Sequence, residues 1–436
     1  MNIEARQVQG LVDDRPSHFK VDRSVYTDPA IFAREMELIF ERNWVYLCHA
    51  SQIANEGDFY STRMGRQPVY AVRGKNNKIN AFINACSHRG AVLTPMRRGN
   101  AKTLTCRFHG WCFNTEGRCV KVKNEKTGWP DGCDKEQFGL TPVARVEEYK
   151  GFVFGSLSAN VEPLQDFLGE AKTFIDLLAD QSVEGMEVVR GGQTYLIRGN
   201  WKLQAENGVD GYHVSTVHRV FAGAMAKRES LEGAEGMRKT EAGRIAGIVP
   251  TGQYDLGNGH MVVWAKRATP EVAPLSASLD KLQERFPDDR IEWMLRRGRN
   301  LLVFPSTHFM DQPSTQIRVL LPISPSETEC RVYCIAPKGE PAAGRAARIR
   351  KFEDFYMLTG MATPDDMAAL EDIQLGSLGV AAQWNNIERG RSVMVDGADE
   401  EAKALGIKPV SSNGSWESET LYYGFFRQWS KEMSTP

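Results

Sequence analysis

The chain has 436 residues, of which 42% are hydrophobic and 25% charged, an ordinary globular composition with enough length for two or three domains. Its 54 basic and 55 acidic residues leave a formal net charge of -1, which excludes an overall field that would attract nucleic acid or an anionic membrane. Because no run approaches the roughly 18 apolar residues of a membrane helix and no signal-peptide pattern is present, we expect a cytoplasmic protein.

From about Trp44 to Leu157 the chain is dense in short strand-like segments with turn residues between them. They are PVYAVRG, KINAFINAC, KTLTCRFHGW and YKGFVFGSL. This rhythm is typical of a compact all-β unit. We therefore predict a first domain at residues 44–157.

The rest of the chain mixes helical and strand patterns. PLQDFLGEAKTFIDLLADQ and AARIRKFEDFYMLTG carry apolar residues at helical spacing, whereas NLLVFPSTHFM, TQIRVLLPI and ECRVYCIAP alternate like half-buried antiparallel strands. The sequence thus predicts an α+β fold in which residues 1–43 and 158–436 form a second domain, an antiparallel β-sheet covered by helices.

The segment from about Val220 to Asp255 is rich in Gly, Glu and Arg. We expect a long irregular excursion there. It would either cover a pocket or form a solvated surface loop, and the sequence favours neither.

Two cysteine–histidine pairs form the first group of potential metal ligands. Cys86 and His88 stand one residue apart, and Cys106 and His109 stand two apart. Each pair follows a strand-like run and ends in a turn, so two hairpin tips can present four ligands at one point. Two thiolates can bind one iron of a [2Fe–2S] cluster and two imidazoles the other. The same residues could hold a structural zinc, but the tight C-x-H and C-x-x-H spacing favours the cluster.

The remaining cysteines show no second cluster spacing. Eight cysteines in a chain of this length are too sparse for a disulfide scaffold. We interpret six as buried or incidental thiols: Cys48, Cys112, Cys119, Cys133, Cys330 and Cys334.

A second group of potential ligands follows the pattern D-x-x-H-x4-H, formed by Asp210, His213 and His218. Two imidazoles and a carboxylate are the ligand set of non-haem Fe(II) sites with open positions for O2. At about 100° per residue, the two histidines would lie about 140° apart on a straight helix. Both can reach one ion only if the helix bulges or ends between them. The alternative is an ordinary helix with two core or surface histidines.

The motifs CSHRGA and CRFHGW resemble the Rieske family. Respiratory-chain Rieske proteins carry an extra cysteine in each ligand loop, where this chain has Ala91 and Phe108, so the resemblance is to the oxygenase branch. RNWVYLCHASQI, YKGFVFGSL, GNWKLQAENGVDGYHVSTVH and GMATPDD extend it through nearly the whole chain. Together they resemble the large subunits of Rieske aromatic-ring-hydroxylating dioxygenases, in the benzoate, toluate and anthranilate branch.

This resemblance implies a Rieske [2Fe–2S] domain followed by a helix-grip (START-like) catalytic domain. It also implies that His213 and His218 bind a mononuclear Fe(II), while Asp210 bridges instead of ligating. The carboxylate ligand is implied in GMATPDDMAALEDIQ, where alignment with the family favours Asp366 and leaves Asp365 as the alternative.

Other roles compete with ligation at these two aspartates. Thr363 could cap a helix that Pro364 begins, which would put both aspartates in its first turn. Carboxylates in that position also stabilise the helix dipole.

The resemblance further implies rings of three large subunits, usually with three small β subunits as α3β3. In such a ring His109 of one chain would hydrogen-bond Asp210 of the next, and Asp210 would hold the second nitrogen of His213. Electrons would come from NADH through a flavin and ferredoxin-type reductase. Because the chain has no C-x4-C-x2-C run and no convincing dinucleotide fingerprint, we expect the reductase to be a separate protein.

The implied reaction adds both atoms of O2 to adjacent ring carbons of an aromatic carboxylate of the benzoate, anthranilate or halobenzoate type. Arg219 could pair with the substrate carboxylate, although a solvated arginine at a helix end is the favoured interpretation. Three alternatives remain: a Rieske aromatic monooxygenase or demethylase, a non-enzymatic Rieske electron carrier, and a zinc-stapled ligand-binding protein.

Overall fold

The computed structural model of the protein describes residues 8–229 and 249–435. The chain divides into two compact units, one of which is Phe40–Leu164 and the other the described residues on either side of it. The domain limits 44 and 157 expected from the sequence remain predictions. No helix within the described ranges is both long enough and apolar enough to cross a lipid bilayer.

The two longest strands, Gln316–Ser324 and Glu327–Pro337, lie in the second unit, but both units contain β-strands. In chain order they are β1 (Val12–Arg15), β2 (His18–Asp22), β3 (Val45–His49), β4 (Asp58–Met64), β5 (Gln67–Arg73), β6 (Ile79–Ile83), β7 (Arg98–Asn100), β8 (Thr103–Thr105), β9 (Cys112–Asn114), β10 (Cys119–Lys121), β11 (Arg145–Tyr149), β12 (Phe152–Ser156), β13 (Met186–Val188), β14 (Gln193–Ile197), β15 (Thr251–Asp255), β16 (Met261–Lys266), β17 (Arg297–Val303), β18 (Thr307–Met310), β19 (Gln316–Ser324), β20 (Glu327–Pro337), β21 (Trp384–Asn386), β22 (Val395–Asp396) and β23 (Ser411–Asn413).

The α-helices lie almost entirely outside the first unit. They are α1 (Pro29–Glu35), α2 (Glu125–Gly128), α3 (Leu164–Leu168), α4 (Ala171–Ala179), α5 (Trp201–Asn207), α6 (Val214–Val217), α7 (Arg219–Glu229), α8 (Leu279–Gln283), α9 (Asp288–Leu295), α10 (Ala342–Phe355), α11 (Thr363–Gly376), α12 (Glu400–Leu405) and α13 (Tyr422–Met433).

The unit Phe40–Leu164 consists of small antiparallel sheets. Their strand orders are β6-β5-β4-β7, β10-β9-β8 and β11-β12-β3. The first two share a core that includes Phe59, Tyr70 and Phe113, and the side chains of Cys86 and Cys106 are buried in it. The all-β character predicted for this part of the chain is confirmed, and the core fixes the positions of both cysteines.

The second unit is built on a ten-stranded sheet with the order β13-β20-β19-β18-β17-β16-β15-β23-β22 and β14 paired to β20. Neighbouring strands are antiparallel throughout the central run, with Val263 opposite Asn300 and Asn300 opposite Met310. Helices α4, α9, α10 and α13 contact this sheet. The predicted α+β fold with a helix-covered antiparallel sheet is confirmed.

A buried ion pair ties three helices of this unit together. Glu35, at the end of α1, accepts hydrogen bonds from Lys202 Nζ at 2.5 Å, Trp201 Nε1 at 2.9 Å and Trp429 Nε1 at 2.7 Å. The carboxylate and the ammonium group are fully buried. Removing one partner of such a pair would cost about 3–5 kcal/mol, because the other charge would stay buried without compensation. The contact therefore fixes α5, the helix that leads into the candidate iron site.

One segment expected to be a single strand forms two. NLLVFPSTHFM corresponds to β17 and β18, joined by a turn at Phe304–Ser306. Val303 pairs with Thr307 across the turn. Pro305 has no backbone N–H to donate to a sheet, so the chain reverses there although the apolar alternation continues.

The excursion expected between Val220 and Asp255 also differs from the structure. Its described ends are regular, since α7 continues to Glu229 and β15 begins at Thr251. Ala, Met, Lys and Arg in α7 are strong helix formers, and β15 pairs with β16 and β23. Residues 230–248, where the expected pocket cover or loop would fall, lie outside the described residues.

Candidate metal centres

The two cysteine–histidine loops share one backbone pattern. In each loop the cysteine amide donates to the carbonyl five residues later, and the amide four residues later donates back to the cysteine carbonyl, at 2.7–2.9 Å. Those second donors are Gly90 and Gly110, with φ of 74° and 72°. Side chains other than glycine rarely adopt this conformation. The equivalent turns of Cys86 and Cys106 therefore depend on glycine at the same position in each loop.

The thiols and the imidazoles of these loops are segregated. Cys86 and Cys106 are buried, with 3% and 2% exposure, and burial together with the nearby Cys106 thiol raises the pKa of Cys86. The rings of His88 and His109 lie 4.6 Å apart between centroids. His88 is exposed and His109 half-buried. The loops thus place two thiols on the inside and two imidazoles on the outside.

Aromatic rings hold both imidazoles in place. Trp111 stacks on His88 with centroids 4.8 Å apart and an interplanar angle of 12°. Phe108 lies 3.8 Å from the ring of His109, and Arg89 lies over Phe108 at 5.4 Å. The imidazole pair is therefore ordered at a surface that solvent can reach.

The arrangement of the four ligands fits a two-iron cluster better than one zinc ion. A single zinc needs four ligand atoms around one point. Among the described residues, the group whose three ligand atoms all lie within 4.8 Å of one another is His213, His218 and Asp366, which includes neither cysteine loop. Paired thiols and paired imidazoles, not drawn to a common point, match one iron for each pair.

The helical structure is interrupted at the second group of potential ligands. Such an interruption was expected, because the two histidines would lie about 140° apart on a straight helix and could not reach the same ion. Helix α5 ends at Asn207, and His213 and His218 flank the four-residue helix α6 at its N-cap and C-cap positions. Because the histidines flank this short helix, both imidazoles can turn toward one side. Their Nε2 atoms are 3.3 Å apart.

Two glycines allow the turn between α5 and α6 to pack closely. A Cβ on Gly208 would lie 2.2 Å from Nε2 of His308, and a Cβ on Gly211 would lie 2.5 Å from Cγ of Trp416. The amide of Gly211 also donates to the carbonyl of Trp416 at 3.2 Å. These contacts set the position of Asp210 between the two glycines.

We expect Gly211→Ala to destabilise the protein by about 1–3 kcal/mol, because the added methyl must displace the indole or the turn. Thermal unfolding of the purified protein would measure this effect. Gly223→Ala is the matched control, since nothing lies within 4 Å of a Cβ at this exposed position in α7. That change should stabilise by about 0.5–1 kcal/mol, and equal effects at both positions would contradict the packing argument.

Asp366 completes a group of three ligand atoms. Its Oδ1 lies 3.5 Å from Nε2 of His213 and 3.2 Å from Nε2 of His218. Ligand atoms about 2.1 Å from one ion, at tetrahedral to octahedral angles, lie about 3.0–3.4 Å apart. Burial acts to raise the pKa of Asp366, but the hydrogen bond and charge of His218, together with other cations, hold it below its usual value. The group therefore fits one divalent ion.

Asp365 lies in a different environment. It is half-buried and outside this group of three, whereas Asp366 is buried. The expected capping role of Thr363 is wrong, because the helix begins at Thr363 itself and Ala362 is its N-cap. The Thr363 hydroxyl donates instead to the carbonyl of Phe355 at 3.2 Å.

Asp210 orients one histidine of the group. Its Oδ2 lies 3.2 Å from Nδ1 of His213, and its Oδ1 accepts from the amide of Tyr212 at 2.6 Å. Burial acts to lower the pKa of His213, yet the hydrogen bond with Asp210 and the charges of Asp366 and Asp210 raise it above its usual value. A carboxylate on the second nitrogen fixes the ring so that Nε2 faces the ligand group.

Asn207 and Arg318 are among the polar residues of this site that sequence reasoning missed. Asn207 Nδ2 lies 3.4 Å from Oδ1 of Asp366, and Arg318 lines the adjoining pocket. Asn207 stands beside the Asp210 motif, but no spacing distinguishes it from any helix-end asparagine. Arg318 lies in a strand whose pattern predicts only burial.

A pocket adjoins the three ligands. Its lining includes the apolar side chains of Val263, Met310, Phe221 and Phe355. Arg219, the arginine considered as a carboxylate partner, lies at the pocket rim and is exposed at the first residue of α7.

Comparison with known proteins gives the family. Residues 43–148 match the Rieske [2Fe-2S] domain, and residues 185–434 match the ring hydroxylating alpha subunit catalytic domain. The chain is 44% identical to the toluate 1,2-dioxygenase subunit alpha of Pseudomonas putida, over 99% of this chain and 95% of that one. It is 39% identical to the 2-halobenzoate 1,2-dioxygenase large subunit of Burkholderia cepacia, over 97% and 90%.

The fold has a counterpart among solved structures. Naphthalene 1,2-dioxygenase with indole bound in the active site superposes with a TM-score of 0.82 at 27% identity, covering 95% of this chain and 92% of that one. The chain belongs to the family of Rieske ring-hydroxylating oxygenase alpha subunits. It is an oxidoreductase of the dioxygenase type whose cofactors are a Rieske [2Fe–2S] cluster and a mononuclear iron, with O2 as a substrate, as the sequence predicted.

Proposed function

We propose that this protein is the large subunit of a dioxygenase that converts an aromatic carboxylate to a ring cis-diol. The observation that carries the proposal is the apolar pocket beside His213, His218 and Asp366. Relatives named for toluate and 2-halobenzoate support an acid of the benzoate type as the substrate. Addition of O2, two electrons and two protons across one ring double bond gives the diol, and NADH supplies the electrons.

The roles of the metal ligands are part of this proposal. Cys86 and Cys106 would hold one iron of the cluster, and His88 and His109 the other. When bound, the cluster carries electrons and the mononuclear iron activates O2. The burial of the thiols and the exposure of His88 support a cluster with its histidine side toward a surface where a redox partner can approach.

His213, His218 and Asp366 would hold the mononuclear iron. Asp210 would act as a positioning residue, since its contact with Nδ1 of His213 keeps that ring from rotating away. The phenyl ring of Phe355 lies 5.5 Å from the ring of His218, which supports a dry environment on the pocket side of the ligands.

We also propose the partners that the resemblance implied. The relatives are named as a subunit alpha and a large subunit, which supports assembly with further subunits. The finer proposal is an α3β3 assembly in which His109 of one chain contacts Asp210 of the next, served by a separate flavin and ferredoxin-type reductase.

Product analysis with isotopically labelled oxygen tests the function. The purified oxygenase, with a matched reductase and NADH, would receive benzoate, toluates, anthranilate and halobenzoates under 18O2. We expect both oxygen atoms of the new diol to carry the label for at least one acid. Incorporation of one labelled atom would instead indicate the monooxygenase or demethylase alternative, and no substrate-dependent O2 uptake with any acid would reject the proposed function.

A further inference from the structure

Arg318, in β19, is a buried cation with an unsatisfied donor. Its exposed fraction is 4%, and its Nε has no hydrogen-bond partner in the part of the chain that the structure describes. The guanidinium carbon lies 5.9 Å from the ring centroid of Tyr356. Burial of a charge without a partner is unfavourable, so a buried guanidinium is normally paired with a carboxylate or phosphate.

The sheet register places Arg318 at the pocket. Gln316 lies opposite Met310, and Arg318 is two residues further along the same strand, so its side chain leaves the same face. Met310 and Arg318 both line the pocket that contains His213 and Asp366. Arg318 therefore belongs to the lining of the cavity beside the metal ligands, although its Nε itself is buried.

The two other pocket arginines are in different situations. Arg267 donates to the carbonyl of Asp311 and lies 3.8 Å from its carboxylate, so its charge is already compensated. Arg219 is exposed to solvent. Of these three arginines, Arg318 is the one that combines burial and an unsatisfied donor with no ion pair to a carboxylate within the described ranges.

We propose that Arg318 binds the carboxylate of a planar aromatic acid and so determines both the substrate class and the position of attack, an inference that rests on the proposed function. In a benzoate, position 1 carries the carboxylate, so a 1,2-dioxygenase must react at that carbon and its neighbour. The anchor for the carboxylate must then lie close to the metal ligands, as Arg318 does. A guanidinium can bind both carboxylate oxygens, while the apolar wall formed by Val263 and Met310 accepts the ring.

Binding of matched acids and amides tests this role. The probes are benzoate with benzamide, 3-methylbenzoate with its amide, and anthranilate with its amide, measured by equilibrium dialysis against the holoenzyme without O2. For the preferred acid we expect a preference on the order of 100-fold over its amide. In Arg318→Gln that preference should fall to within about threefold, mainly through loss of acid binding. Arg318→Lys should be intermediate, because lysine keeps the charge without the bidentate fork.

Stability separates a binding role from a structural one. Because Nε of Arg318 has no partner in the described residues, Arg318→Gln should not lower the midpoint of thermal unfolding in the absence of ligand. Cluster absorbance and iron content should match the wild type. A large fall in the midpoint would show that Arg318 stabilises the fold and would contradict the proposal.

Arg219→Gln tests the rival arginine. If it removes the acid preference and Arg318→Gln does not, the inference is wrong. Equal binding of every acid and its amide by the wild type would overturn the inference even if the Arg318 variants failed to fold. Absence of turnover of all aromatic acids by the wild type rejects the proposed function, whereas turnover with an unchanged acid preference in Arg318→Gln rejects this inference alone.

Discussion

Asp366→Ala should yield a protein that keeps its iron–sulfur chromophore, loses the mononuclear iron and forms no product. The reason is geometric, because Oδ1 of Asp366 lies 3.5 Å from Nε2 of His213 and 3.2 Å from Nε2 of His218 and so completes the proposed ligand group. Loss of residues that merely orient a ligand costs about 10–100-fold in metal affinity or activity, so loss of the ligand itself should exceed about 100-fold. Iron analysis, the rhombic electron spin resonance signal of the reduced cluster and product formation would measure the three parts of this expectation.

Asp365→Asn is the matched control. The two aspartates are adjacent in the first turn of α11 and have the same charge, but Asp365 is only half-buried and lies outside the ligand group. We expect its iron content and turnover to stay within about twofold of the wild type, as for most substitutions away from a site. If Asp365→Asn lost the iron and Asp366→Ala retained it, the assignment of the ligand would be reversed.

These two aspartates show what the sequence could and could not predict. Short spacings carry direct information, so the two cysteine–histidine pairs indicate metal chemistry from residue types and spacing. The Asp210 motif is compatible with an iron site but gains its meaning from the cysteine–histidine pairs that precede it. Asp366 lies far along the chain from His218, and no local pattern connects them. Asp366 was chosen because of the resemblance to a family. In the fold the first turn of α11 packs against the end of α6, and this tertiary contact brings Asp366 to His218.

The fold could be predicted where the apolar periodicity was unambiguous. The prediction was wrong where a turn residue interrupted an element although the apolar periodicity continued. Apolar spacing indicated α10 and the strands β19 and β20, but the same alternation ran through Pro305 and hid a turn between two strands. Arg318 was missed for a related reason. A strand pattern predicts that a position is buried, whereas the pocket at Arg318 depends on which residue of the neighbouring strand lies opposite, and that register is set by tertiary packing.

Gly208 and Gly211 illustrate a third limit. In the sequence these glycines stand on either side of Asp210, and nothing there distinguishes them from other glycines. Their packing against His308 and Trp416 comes from segments distant in the chain, so the close approach that requires glycine could not be predicted. The consequence is functional, because these contacts place the carboxylate of Asp210 beside His213.

Asp210→Ala should leave both metals bound and reduce product formation by about 100-fold, the upper end of the range for a residue that orients a ligand. The variant keeps all three proposed iron ligands, but Nδ1 of His213 loses the carboxylate that lies 3.2 Å away. In the proposed assembly the same carboxylate also contacts His109 of a neighbouring chain, so its removal interrupts the connection between the two metal centres. Turnover is therefore expected to fall much further than iron content.

Rapid mixing of the prereduced protein with substrate and O2 would separate these effects. If Asp210 only supports the structure of the site, the variant should lose its mononuclear iron. If Asp210 connects the two metal centres, the variant should keep that iron, and the cluster should stay reduced after mixing because it no longer passes its electron on. Asp210→Asn should keep more turnover than Asp210→Ala at a similar iron content, because its amide oxygen can accept a hydrogen bond from Nδ1 of His213. Asp372→Ala, which removes an exposed carboxylate from α11, should behave as the wild type. Normal product formation by Asp210→Ala would contradict the proposed bridge, because it would show that neither the orientation of His213 nor the contact with His109 depends on this carboxylate.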